Sequence, residues 1–174
     1  MVGNFIADFV RSSQITEFPE KIKQGIALHH SIDHFTDNHA VVKQSKDRLR
    51  TEFGKYAGVI VDVFYDHFLS VNWEKFSHQN RQQFCTEAYQ NLQDNFDYLP
   101  TPLQEYLPEL MQRNWLYFYG EFEGVRRALT NLSYRSKHRK DLPLALNTLK
   151  REYAGFEEDF LLFFPDLYGM VNHL

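Results

Sequence analysis

One cysteine, Cys85, and three methionines are all the sulfur this 174-residue sequence carries. A disulfide within the chain is therefore impossible, and a structural zinc site built on several thiolates is excluded. A reducing cytoplasm suits such a chain. Cys85, next to Phe84 with no base or cation set beside it, reads as a small apolar filler in a helix. Long apolar runs are also missing. None approaches the roughly 18 residues of a membrane span, and the opening MVGNFIADFVRSS lacks the basic-then-apolar order of a signal peptide. Positive charge is not in excess: the formal net charge is -4, so no whole-molecule basic field exists to hold nucleic acid or an anionic membrane. The sequence has no G-x-x-x-x-G-K-[ST] or G-x-G-x-x-G phosphate loop, no H-E-x-x-H helix, no G-x-S-x-G elbow and no Glu-x-x-His pair of the di-iron bundles. Sustained period-two alternation and Asn-Gly or Asp-Gly hairpins are absent, which leaves strands without support.

What is present is apolar volume at helical spacing. Hydrophobic residues make up 43% and aromatic residues 16%, enough for a packed interior in one domain spanning residues 1–174. Pro19 suits the first turn of a helix from about Glu20 to His34. Thr36, Asp37 and Asn38 offer N-caps for a helix reaching about Phe53, and GVIVDVFYDHFLS predicts another over 58–70. Phe84, Ala88, Leu92 and Phe96 mark an amphipathic helix over about Asn80 to Phe96. Leu149, Tyr153, Phe156, Phe160 and Phe163 mark a second one near the C-terminus. Between them, Pro100, Pro102 and Pro108 are expected to break the chain, followed by one or two helices interrupted near Gly120 and Gly124. The fold class is all-α, a single compact multi-helix domain.

The 58–70 segment leaves no polar face at helical period, so burial is expected on all sides, yet it carries Asp62, Asp66 and His67. Ionised carboxylates in such a place need a proton, a cation or a metal. On the earlier helix, Ile22, Ile26, His29 and Asp33 share one stripe, which sends His29 and Asp33 inward with the core isoleucines. Two helices that each present ligands one turn apart can enclose a divalent ion, and imidazole with carboxylate suits Mn²⁺, Fe²⁺, Zn²⁺ or Mg²⁺. Asp8, in the apolar run FIADFV, joins Asp33, Asp62, Asp66 and His29 as a candidate ligand. The competing reading is a structural ion network. No Lys or Arg lies between Gly58 and Val71 to neutralise the two acids locally, which favours the metal. Asp37 reads as an N-cap, or as a further site residue if its helix continues. His30 and His34 fit a partly solvated face. His67 stands open as a ligand, a partner of Asp62 or a proton donor.

GNFIADFVR (3–11), GIALHHSIDHFTDN (25–38) and DVFYDHFLS (62–70), in that order and spacing, resemble the acyl carrier protein phosphodiesterase family, with weaker likeness through Trp115 to FLLFFPDL at 160–167. The resemblance implies an all-helical fold related to the HD-type metal phosphohydrolases and a manganese-favouring site. It also implies a reaction, removal of 4′-phosphopantetheine from a serine of holo-acyl carrier protein to give the apo-protein, as a soluble enzyme of lipid metabolism. Asp8, His29, Asp33, Thr36, Asp37, Asn38, Asp62, Asp66 and His67 occupy the family's motif positions. Relatives usually carry an apolar, histidine-containing segment ahead of the first block. This chain starts almost at that block, so a ligand or supporting helix found in relatives is expected to be missing.

In the mechanism so implied, a divalent ion held by some of Asp8, His29, Asp33, Asp62 and Asp66 activates water for in-line attack. His67 or Asp37 protonates the serine alkoxide. Arg11 and Asn38 contact substrate, Arg11 as a bidentate phosphate clamp. Arg126, Arg127, Arg135, Lys137, Arg139 and Lys140 lie close together in sequence and form the best docking patch for an acidic carrier protein, with Arg135 and Arg139 central. A small-diester phosphohydrolase and a non-catalytic carrier-binding domain are the alternatives.

Overall fold

The computed structural model describes residues 1–135 and 141–173. Every regular element among them is helical, as the sequence leads one to expect. In chain order they are α1 (Val2–Ile6), α2 (Glu20–Asn38), α3 (Ala40–Phe53), α4 (Ala57–Val71), α5 (Trp73–Phe76), α6 (Arg81–Asp94), α7 (Thr101–Gln112), α8 (Trp115–Phe118), α9 (Phe122–Arg135), α10 (Ala145–Arg151) and α11 (Tyr153–Asn172). They gather into two compact units, each made of two stretches of chain. One comprises Met1–Thr36 with Gln79–Leu116, the other Asp37–His78 with Tyr117–Leu174. No helix among the described residues is long and apolar enough to cross a membrane.

In the first unit, the carbonyl of Pro19 accepts from the amides of Ile22 and Lys23 and so starts α2. The helix runs past the expected boundary to Asn38, so Thr36, Asp37 and Asn38 form its last turn, and His39 takes the N-cap position of α3. Asn80 caps α6 by accepting from the amides of Gln82 and Gln83, a contact worth about 1 kcal/mol. Pro102 sits in the first turn of α7, where its missing N–H costs nothing, but Pro108 lies inside that helix and does not end it. Ile6, Ile22, Ile26, Leu92, Leu103 and Leu107 are buried.

In the second unit, α4 packs against α3, α9 and α11. Ile60, Val61, Phe64 and Phe68 are fully buried, and the Phe64 ring meets Phe156 edge-on at 5.1 Å, worth about 0.5–1.5 kcal/mol beyond its buried area. The expectation that α4 is enclosed on all sides is corrected. Val59, Asp62 and Asp66, at i, i+3 and i+7, form an exposed stripe opposite the core. The C-terminal periodicity divides at Glu152, so Leu149 belongs to α10, while Tyr153, Phe156, Phe160 and Phe163 belong to α11. Glycine at position 124 is required: a Cβ there would run into the carbonyl of Phe118, so α9 passes directly under the end of α8. Asp159 is the buried charge of this unit, 2% exposed. It accepts from Gln44 Nε2 at 3.0 Å, Ser45 Oγ at 2.8 Å and Arg48 Nε at 3.2 Å. Since Ser45 gives its one proton to Asp159, the Tyr65 hydroxyl donates to Ser45 Oγ at 3.0 Å. Burial pushes the Tyr65 phenol up to about 12, which keeps it a donor.

Candidate metal centre

A contact between two glycines builds the candidate centre in the first unit. Gly3 of α1 lies on Gly25 of α2. A Cβ on Gly3 would run into the carbonyl of Ile22, and one on Gly25 would come 2.9 Å from the Gly3 Cα. Only backbones without side chains approach this closely. The 3₁₀ turn Ala7–Phe9 then follows α1 and brings Asp8 to α2 one turn beyond Gly25, at His29. His29 Nε2 lies 3.2 Å from Asp8 Oδ1 and 3.1 Å from Asp33 Oδ2, the latter one turn further along the same helix. The three donor atoms fall within 4.8 Å of one another.

One ring nitrogen holds at most one proton, so it cannot fully satisfy two carboxylates. A cation accepting from all three groups can, and imidazole with two carboxylates fits a divalent first-row metal or magnesium. The inward expectation is corrected in one respect. Ile22 and Ile26 are buried, but the stripe surfaces as it advances: the His29 side chain is 18% exposed and those of Asp8 and Asp33 are 76% and 55% exposed. The cluster is an open rim and no dry pocket. His30 and His34 are exposed, as their helical position predicts.

Among the described residues the three-donor cluster is made of Asp8, His29 and Asp33; Asp62 and Asp66 belong to the second unit. Asp66 presents an exposed surface, yet packing around its carboxyl and then repulsion from Asp62 push its pKa up to about 7. Water on the open side offsets part of that packing effect, and the like-charge repulsion remains.

His67 is not placed as a proton donor to a leaving group. It is 3% exposed, its Nδ1 donates to the Tyr119 carbonyl at 2.8 Å, and its Nε2 accepts from the Tyr153 hydroxyl at 3.1 Å, with Phe122 stacked on the ring. The expected N-cap role of Asp37 is likewise corrected. It lies in the last turn of α2, exposed, with Lys46 Nζ 2.7 Å away. Asn38, the last residue of α2, is exposed, and so is Arg11, which precedes the 3₁₀ turn Ser12–Glu17.

Comparison with known proteins places these blocks. The acyl carrier protein phosphodiesterase family matches residues 1–167. The chain belongs to that family. Proteins named acyl carrier protein phosphodiesterase from Klebsiella pneumoniae and Photorhabdus laumondii are 30% and 28% identical to it. The alignments cover 98% of the chain and 89% of the first protein, and 95% of the chain and 84% of the second. An Escherichia coli protein of the same name is 28% identical over 98% of the chain and 89% of its own length. No solved structure matches.

For this family member, the basic segment needs amending. Glu123 pairs with Arg126 at 2.7 Å and with Arg127 at 3.0 Å, which neutralises part of the expected patch and holds the Glu123 carboxyl down to about 2. Arg135 ends α9, and Arg139, with Lys137 and Lys140, lies outside the described residues. Sequence reasoning missed Gly3 and Gly25 as positioning residues and Tyr153 as the partner of His67. The quoted blocks contain both glycines, but nothing local reveals that they meet. The burial of His67 was readable: residues 60, 64, 67 and 68 share one helical face.

Proposed function

We propose that this chain hydrolyses the phosphodiester joining 4′-phosphopantetheine to a serine of holo-acyl carrier protein, releasing the apo-protein, in the cytoplasm and with the carrier protein as its partner. One observation carries the reading: two exposed carboxylates converge on one imidazole nitrogen in a chain matched over residues 1–167 to this family.

Asp8, His29 and Asp33 hold a divalent cation, with Mn²⁺ favoured over Mg²⁺, Fe²⁺ or Zn²⁺, and kinship with the HD-type phosphohydrolases is part of the same proposal. When bound, such an ion lowers the pKa of a coordinated water and polarises phosphoryl oxygens. Asp33 fixes the His29 ring from one side and Asp8 from the other, so Nε2 points to the space shared by both carboxylates. The exposure of both acids admits a phosphodiester carried on a folded protein. Asp62 and Asp66 are further ligand candidates at family motif positions, and Arg11 and Asn38 are contacts to the phosphodiester. Arg135 and Arg139 serve carrier docking.

Mass spectrometry of holo-carrier protein incubated with the chain and Mn²⁺ tests this. Loss of the phosphopantetheine mass, abolished by chelation and by His29→Ala, is expected. An intact carrier protein with hydrolysed small diesters, or binding without turnover, overturns it. Asp62→Asn and Asp66→Asn in the same assay decide those two acids. Arg135→Glu with Arg139→Glu is expected to slow turnover in a salt-dependent way, and an unchanged rate removes the docking assignment.

A further inference from the structure

A second candidate site lies in the second unit, where the end of α3 turns into α4. A cavity of about 630 Å³ is lined by Asp37, Lys46, Arg50, Gly54, Lys55, Ala57 and Gly58. That volume falls in the range of small-molecule pockets, about 300–1,000 Å³. Three of the seven lining residues are cationic and one is anionic. Lys46, only 17% exposed, leans on Asp37 at 2.7 Å. Arg50 is exposed and touches Asp47 at 3.4 Å, an i,i+3 surface pair of the weak kind. Lys55 lies 5.4 Å over the Tyr56 ring and makes no ion pair among the described residues.

The wall between these cations is made of Gly54, Ala57 and Gly58. Gly54 adopts φ +57, which favours glycine, and a Cβ there would meet nothing within 4 Å. One on Gly58 would touch only the Lys46 stem, at 3.7 Å. The lining residues by themselves sum to +2, Lys46, Arg50 and Lys55 against Asp37, with Asp47 outside the lining and only weakly paired to Arg50. A phosphomonoester, with a charge of about -1.5 to -2 at neutral pH, answers the whole of this lining charge, and a diester, with one negative charge, answers half of it. Arg50 supplies a planar fork and the two lysines supply point charges, the pairing that phosphate oxygens accept.

We propose that this corner binds the terminal phosphate of a small phosphomonoester, through Lys46, Arg50 and Lys55, independently of the Asp8, His29 and Asp33 cluster. Calorimetric titration of the full chain with methyl phosphate at pH 8, in the presence of chelator, reads this site. Saturable binding is expected, weakened at least tenfold by Lys55→Gln and by Lys46→Gln, and unchanged by His29→Ala. Because it is read without metal and without carrier protein, it succeeds or fails separately from the hydrolytic reading. Dimethyl phosphate is expected to bind at least tenfold more weakly. Equal affinity for the two esters, equal affinity of the lysine variants, loss of binding in His29→Ala, or no binding at all overturns the assignment. Unfolding midpoints of the variants close to that of the parent chain establish that lost binding is not lost folding, since Lys55 is exposed. Should Lys46→Gln fail that control, Lys55→Gln alone decides.

Discussion

Asp159 and Asp33 are both aspartates on helices, and their surroundings are opposites. Asp159 is sealed in the second unit, its oxygens taking three hydrogen bonds from Gln44, Ser45 and Arg48. Asp33 stands at the surface of the first unit, sharing one imidazole nitrogen with Asp8. The buried acid is saturated and holds helices together. The exposed pair is otherwise met by water, which a ligand can displace. A structural ion network and a candidate metal centre, alternatives for one set of acids when only sequence is considered, occur here in different places.

The widest separation between the two is expected in stability. Asp159→Ala leaves the buried Ser45 hydroxyl without its acceptor and leaves Arg48 with Glu152 alone, at 3.6 Å, and about 1–3 kcal/mol of unfolding free energy is expected to be lost, measured by urea denaturation. The same measurement on Asp8→Asn is expected to stay within about 0.5 kcal/mol of the parent chain, as befits a surface site. Carrier-protein hydrolysis then inverts the order. His29→Ala is expected to lower kcat/KM by more than the roughly 10–100-fold typical of losing a mere supporting partner, with the unfolding midpoint little changed. Gly25→Ala joins the two behaviours: it forces α1 off α2, costs about 1–3 kcal/mol, and is expected to lower activity while leaving Asp8, His29 and Asp33 chemically intact.

The smallest effect belongs to Glu123. Its folded pKa, about 2, lies below the model-peptide value of 4.5, so its stabilising contribution is present above about 4.5 and is lost as pH falls through about 2. The melting temperatures of the parent chain and Glu123→Gln are therefore expected to differ at pH 6 and to converge toward pH 2.

Much of this was legible in the sequence where periodicity alone decides. The helical class, the α6 and α11 patterns and the i,i+4 pairing of His29 with Asp33 all follow from spacing. Distance in the chain hid the remainder. Asp159 sits in an acidic Glu157-Glu158-Asp159 run that resembles a solvated face, and its partners lie more than a hundred residues earlier. Asp8 and His29 are 21 residues apart, and their meeting depends on a backbone contact that no local pattern encodes. Pro108 was a poor guide to a helix end, since it sits inside a helix that continues past it. Val59 shows the limit of hydropathy: 40% of it is exposed in a segment apolar enough to look enclosed.

The touching glycines also fix alignment. Sliding α1 by one position would set Val2 or Asn4 against Gly25, and neither has room there, so the two helices accept a single seating, like a key with one notch. Asp8 consequently arrives opposite His29 by the fit of bare main chain, before any charged group has to steer it.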